Sequence, residues 1–204
     1  MILIHYKLYD TVVMTFIRRI GTLALCAALI SGGAAAAEPT PDPELREALR
    51  QAASESASFT DRFHAEVWLT DMSRRLAQQV EDPDERIEIL TLVHMEAARV
   101  ELPPELVLAV IEVESNFDRY AVSVAGALGL MQVMPFWLNE IGRPDDNLLH
   151  TDTNLRYGCT ILRFYLDKEK GDLRRALGRY NGSLGKRKYP NKVIDKLSKK
   201  WFQA

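Results

Sequence analysis

Apolar positions recur along most of this chain at intervals of three and four, the period of an amphipathic helix, and alternation with a period of two is nearly absent. Leu45, Ala48, Leu49 and Ala52 share one side of a segment from Glu44 to about Ala53. A Ser-rich piece, 54–58, interrupts it. Trp68, Met72 and Leu76, spaced by four, predict a helix over about 60–80. Asp82-Pro83-Asp84 is a helix-start signal, and the pattern after it predicts a helix to about Val100. Pro103-Pro104 breaks the chain and can open the next helix, because proline fits a first turn. That helix reads Glu-Leu-Val-Leu-Ala-Val-Ile-Glu-Val-Glu-Ser over 105–115. Further helices are predicted at about 130–141, 152–169, 172–180 and 190–200, with at most a short hairpin around 122–130. No internal repeat is present. The expected fold is mostly α, a single helical domain with additional N-terminal helices.

The first forty residues read as an address label. Arg18 and Arg19 precede an apolar run from Ile20 to Ile30, followed by Ser31-Gly32-Gly33 and four alanines, 34–37. A basic start, a short apolar middle and small residues at the end make a secretory signal peptide. The run is shorter than the roughly 20 residues a membrane-spanning helix needs. Residues 1–37 are therefore expected to be removed, with Met14 as an alternative start, and no stable membrane span should remain. Leu25 before Cys26 does not fit a lipobox, which argues against lipidation. The expected division is a signal peptide (1–37), a linker and acidic helical segment (38–86), and a helical domain (87–204).

Charge changes the picture modestly. The formal net charge is −2, but 38–100 holds 7 Lys/Arg against 14 Asp/Glu, and 101–204 holds 16 against 13. Lys186, Arg187, Lys188, Lys192, Lys196, Lys199 and Lys200 gather near the end. Such a run reads first as a solvated face, and second as a weak attraction to an anionic polymer such as a cell wall. It does not resemble a nucleic-acid patch. The four histidines are scattered, without an HExxH or Cys/His cluster, so no metal is expected. His94 reads as a satisfied boundary histidine. Cys159 shares a stripe with Leu155, Leu162 and Leu166 and reads as a buried, inert thiol.

Three segments concentrate candidate chemistry. Val107, Ile111 and Glu114 fall at i, i+4 and i+7, so Glu114 stands on the edge of an apolar stripe at a helix end. Partial desolvation and the negative helix terminus both disfavour its charged form, as a general acid requires, although taken alone a surface glutamate in a helix's last turn is the readier reading. Glu112 points elsewhere and reads as an ordinary surface glutamate. In the second segment, Ser123 to Pro135, Gly126 and Gly129 allow tight turns, and Leu130, Met131 and Met134 put an apolar wall beside the Gln132 amide, a surface suited to a sugar ring. The third segment is Arg179-Tyr180-Asn181-Gly182, an aromatic and an amide at a helix end.

In this order, Glu114-Ser115 with Phe117, then Gly126-Ala127-x-Gly129-Leu130-Met131-Gln132-x-Met134-Pro135, then Tyr180-Asn181, the chain resembles the soluble lytic transglycosylase catalytic domain, a relative of goose-type lysozyme. Asp152, Asn154 and Gly158 match as well, and the resemblance covers about 87–200. It implies a lysozyme-like helical fold with a groove for peptidoglycan glycan strands. Glu114 takes the catalytic position, and Ser123, Gln132, Met134, Tyr180 and Asn181 take substrate-binding positions, with Tyr180 and Gln132 orienting sugar and acid. Arg179 stands where many relatives have alanine. The implied reaction cleaves the bond between N-acetylmuramic acid and N-acetylglucosamine and closes a 1,6-anhydro ring, with no metal or cofactor required; the signal peptide points to the periplasm, with outer-membrane association through a partner as a further option. Two alternatives stay open: a lysozyme-type hydrolase on the same fold, and a non-catalytic glycan-binding module of an envelope complex. Protein partners are not specified by the sequence.

Overall fold

The computed structural model describes residues 58–59 and 61–202. The expected signal peptide and the expected helix at 44–53 lie outside them. The described chain forms seven α-helices: α1 (Arg62–Leu76), α2 (Pro83–Arg99), α3 (Pro104–Glu114), α4 (Phe136–Ile141), α5 (Thr151–Lys168), α6 (Leu173–Tyr180) and α7 (Lys188–Lys196). A π-helical turn, Leu197–Trp201, continues α7. The fold is mostly α, as expected. The only β pairings among the described residues are two isolated bridges, Val122 with Leu128 and Leu128 with Val133.

The helix starts follow local chemistry. The Asp61 carboxylate accepts from the His64 amide at 2.8 Å, and that of Asp82 accepts from the Asp84 amide at 3.0 Å, with Pro83 in the first turn. Buried Arg86 then donates to the Val80 and Glu81 carbonyls at 2.8 and 2.9 Å and to the Ser73 hydroxyl at 3.2 Å, fastening the end of α1 to the start of α2. His94 stacks on Phe59 with ring centroids 3.5 Å apart and hydrogen-bonds the Ser58 hydroxyl at 2.8 Å. Its burial pushes its pKa down to about 4, so it is the satisfied boundary histidine expected.

Helix α3 is the axis of the core. Leu106 through Glu112 are buried without interruption, so this helix is enclosed on all sides rather than amphipathic. Its β-branched residues lower intrinsic helix propensity, but burying each of Leu106, Val107, Leu108, Val110 and Ile111 contributes about 1.5–3 kcal/mol, which outweighs that cost. Helices α2 and α7 and the π turn pack against α3. Trp68, Leu69, Met72 and Leu76 of α1 join the same core as Leu155, Leu162 and Trp201. Cys159 lies fully within it, and burial raises its thiol pKa.

Two expectations are corrected here. The helix predicted over 130–141 begins only at Phe136. Gly129 and Gln132 both take left-handed backbone angles (φ +69° and +49°), which a helix cannot accommodate. Leu128 and Val133 instead exchange backbone hydrogen bonds at 3.0 Å in each direction. Second, Glu112 is not a surface residue. It is buried, and it accepts from the Trp201 indole at 2.7 Å and from Lys196 at 2.6 Å. The nearly uniform hydrophobicity of α3 hides which faces are covered, so only packing reveals this partner.

Candidate active site

Glu114 is the last residue of α3. Behind it the chain reverses sharply, because Asn116 and Phe117 both sit in the left-handed region (φ +51° and +68°). For a bulky residue such as Phe117 this conformation is rare and strained. Burial of the phenyl ring, 5.6 Å from the Trp201 ring, offsets the strain. The Ser115 hydroxyl donates to the Leu130 carbonyl at 2.8 Å. Thus the segment that reverses after the acid is pinned to the loop that follows it.

The Glu114 carboxylate is half-buried, and the Tyr189 hydroxyl donates to its Oε1 at 2.5 Å. Two causes act on its pKa in opposite directions. Burial, the larger, raises it, and the Tyr189 hydrogen bond lowers it. The net shift is upward, in the direction a general acid needs. Beside it is a cavity of about 290 Å³ lined by Val113, Glu114, Asn181, Ser183, Tyr189 and the lysines 186, 188 and 192. Glu114 is the sole carboxylate among these lining residues.

The predicted site residues fall into two sets. Glu114 and Asn181 meet at this cavity. Tyr180 is close enough for the Glu114 charge to add to the burial that raises its own pKa. However, its hydroxyl donates to the Met131 carbonyl at 2.8 Å, so it braces the loop rather than the acid. The expectation that Tyr180 and Gln132 orient the glutamate is corrected: Tyr189 holds it.

Ser123, Gln132 and Met134 lie on the 115–135 loop and are not among the residues lining the cavity. The Ser123 hydroxyl accepts from the Ala127 amide at 3.0 Å, closing the turn at Gly126. The Gln132 side-chain amide donates to the Ala121 and Gly129 carbonyls at 3.2 and 3.0 Å. Its donors therefore hold the loop, leaving the carbonyl oxygen as the group it can offer a ligand. Met134 is half-buried.

One buried residue organises this loop from below. Asn154 of α5 accepts from the Met131 amide and donates to the Leu128 and Leu148 carbonyls, each at 2.8 Å. The approach is so close that a Cβ on Gly129 would stand 2.5 Å from the Asn154 side chain, and one on Gly158 would stand 2.3 Å from Met131 Sδ. These contacts account for Gly129, Asn154 and Gly158 as a packing unit.

Sequence reasoning did not single out Tyr189. Its spacing of four from Val193 reads as one more core position, and its ring is buried as such. Nothing local indicates that its hydroxyl meets a carboxylate 75 residues earlier. Among the described residues no helix is long and apolar enough to cross a membrane.

The family model described as the Transglycosylase SLT domain matches residues 91–202. A membrane-bound lytic murein transglycosylase C of Actinobacillus pleuropneumoniae is 52% identical over 48 residues, 24% of this chain and 13% of that protein. The one from Yersinia pestis is 32% identical over 112 residues, 47% and 31% respectively. A transglycosylase of Enterobacteria phage PRD1 is 32% identical over 109 residues, 50% of this chain and 40% of that protein. The chain thus spans less than half the length of each of these relatives. A solved structure of an inactive mutant of the Pseudomonas aeruginosa lytic transglycosylase Slt aligns over 76% of this chain and 34% of that one, at 21% identity and a TM-score of 0.43. With the family model extending from within α2 to the end of the described chain, and covering more than half of all residues, the protein belongs to the transglycosylase SLT domain family.

Proposed function

We propose that this protein is a lytic transglycosylase that cleaves the β-1,4 bond from N-acetylmuramic acid to N-acetylglucosamine in peptidoglycan. The observation that carries the reading is Glu114: a half-buried carboxyl with a raised pKa, held by Tyr189, opening on a cavity with no second acid in its lining. Glycosidases that use water or a covalent intermediate generally employ two carboxylates. One carboxyl suffices when the substrate supplies its own nucleophile. Protonated Glu114 donates its proton to the glycosidic oxygen as the bond to the muramic C1 breaks, and the muramic N-acetyl group stabilises the cationic centre. The resulting carboxylate takes the proton from the sugar's 6-hydroxyl as that oxygen bonds to C1. The product is a 1,6-anhydro end, Glu114 is regenerated in its acid form, and no water is consumed.

In this scheme the loop residues Ser123, Gln132 and Met134, with Tyr180 and Asn181 near the acid, contact the sugars. The Gln132 carbonyl oxygen and the Asn181 amide are the polar groups available for it. Residues 87–204 carry the chemistry, residues 1–37 act as a signal peptide, and the site of action is the periplasm. The activity is tested by incubating the protein with purified sacculi and weighing the released muropeptides. Products one water lighter than hydrolytic ones are expected, and Glu114→Gln should release none while melting normally. Reducing muramic ends would make the protein a hydrolase, and full activity of the Glu114→Gln variant would remove Glu114 from the reaction.

A further inference from the structure

Six of the seven basic residues near the C-terminus divide into two groups, and Arg187 belongs to neither. Lys196 and Lys200 face Glu112 at 2.6 and 3.6 Å, and Lys199 faces Asp195 at 2.6 Å. Their charges are matched within the protein. Lys186, Lys188 and Lys192 have no carboxylate partner among the described residues, are exposed, and all line the cavity that Glu114 opens on. Ser183 lines the same cavity. Its hydroxyl oxygen is buried behind that surface and has no hydrogen-bond partner, a state that ordinarily costs free energy until something supplies the missing bond.

Three like charges gathered around one acid repel each other, and a neutral glycan backbone offers them nothing to neutralise. N-acetylglucosamine has no carboxylate. The muramic residue does, either on its lactyl arm when the peptide has been removed or on the stem peptide when it is present. Resting on the transglycosylase reading above, we infer that Lys186, Lys188, Lys192 and Ser183 form a carboxylate-binding subsite that holds the acidic arm of the muramic residue being cleaved. The subsite orients the strand by placing the muramic side of the scissile bond toward α7. It is also a local feature: the basic run belongs to the loop and helix after Asn181, not to the loop carrying Ser123, Gln132 and Met134.

The test uses the full chain with Glu114→Gln, which binds without cutting, and the same protein with Lys186, Lys188 and Lys192 all changed to Gln. Each is titrated with three glycan oligosaccharides: one bearing stem peptides, one stripped to the free lactyl carboxylate, and one stripped with that carboxylate converted to a neutral methylamide. Loss of the lysines should weaken binding of at least one anionic glycan roughly tenfold, from three partly exposed ion pairs, with that advantage fading as salt is raised. Binding of the neutral glycan should hardly change. Whichever anionic glycan responds identifies the source of the carboxylate. A Lys→Arg triple variant should restore the charge-dependent part. Equal losses for charged and neutral glycans, or no loss for either anionic one, would overturn the subsite. Muropeptide release by the unmodified protein, measured alongside, reports separately on the transglycosylase reading.

Discussion

Replacing Glu112 by alanine removes the buried acceptor that fastens the C-terminal segment to α3. The Trp201 indole donates to Glu112 at 2.7 Å from a fully buried ring. A hydrogen bond to a charged group contributes about 1.5–3 kcal/mol, and in the variant the indole N–H is left buried without a partner. Lys196 approaches to 2.6 Å, but its side chain is 45% exposed, so its share is the about 0.2–1 kcal/mol of a solvent-screened pair. Lys200, at 3.6 Å, adds less. The expected loss is therefore about 3 kcal/mol, and for a chain of this size each kcal/mol lowers Tm by about 2–4 °C, a fall of roughly 6–12 °C. Urea and thermal unfolding of Glu112→Ala, Trp201→Phe and the double variant measure it. Because Phe lacks the N–H that alanine orphans, the double variant should be more stable than the two single losses predict, by on the order of 1.5 kcal/mol. A single loss below about 0.5 kcal/mol, or additive losses, would show that the contact does not anchor this segment.

Three further outcomes are expected. Tyr189→Phe deletes the hydrogen bond that favours ionised Glu114, so that burial weighs more heavily. Since the acid must be protonated to act, the alkaline limb of kcat/KM should move to higher pH, and the maximal rate should fall about tenfold for loss of one hydrogen bond to a charged group. A limb that stays in place would detach Tyr189 from the acid. Asn154→Ala frees two backbone carbonyls and one amide beneath the 128–148 segment. It should cost about 3 kcal/mol in urea unfolding and most of the activity, whereas a variant within about 0.5 kcal/mol of the parent would mean the loop holds itself. His94 has a folded pKa near 4 against an ordinary 6.5. The unfolded chain therefore binds the proton first, and stability should decline as pH drops from about 6.5 toward 4. His94→Gln should flatten that part of a Tm-against-pH curve; an unchanged slope would assign it to other groups.

The amino-acid sequence by itself determined the elements whose causes are local. Asp82-Pro83 and Pro103-Pro104 mark helix starts through capping and fixed backbone angles, and both were legible to within a residue or two. Glu114 was singled out because the motifs after it, in their order, resemble a known family; by itself a carboxylate on an apolar stripe at a helix end reads more readily as a surface glutamate. Tertiary structure decided what depends on distant partners. The run 130–135 has helix-compatible residues, yet Asn154 and Gly158, more than twenty positions later, draw it into a bridged loop. Glu112 and Glu114 differ by two positions in one helix, and only packing shows that the first is tied to Trp201 and the second to Tyr189. Likewise the basic run looks uniform along the chain, and only the fold separates the lysines neutralised by Glu112 and Asp195 from those beside Glu114. The physical reason is common to these cases. Helix periodicity reports which face a side chain occupies, whereas hydrogen bonds and ion pairs depend on ångström-scale contacts that form only when separate helices pack.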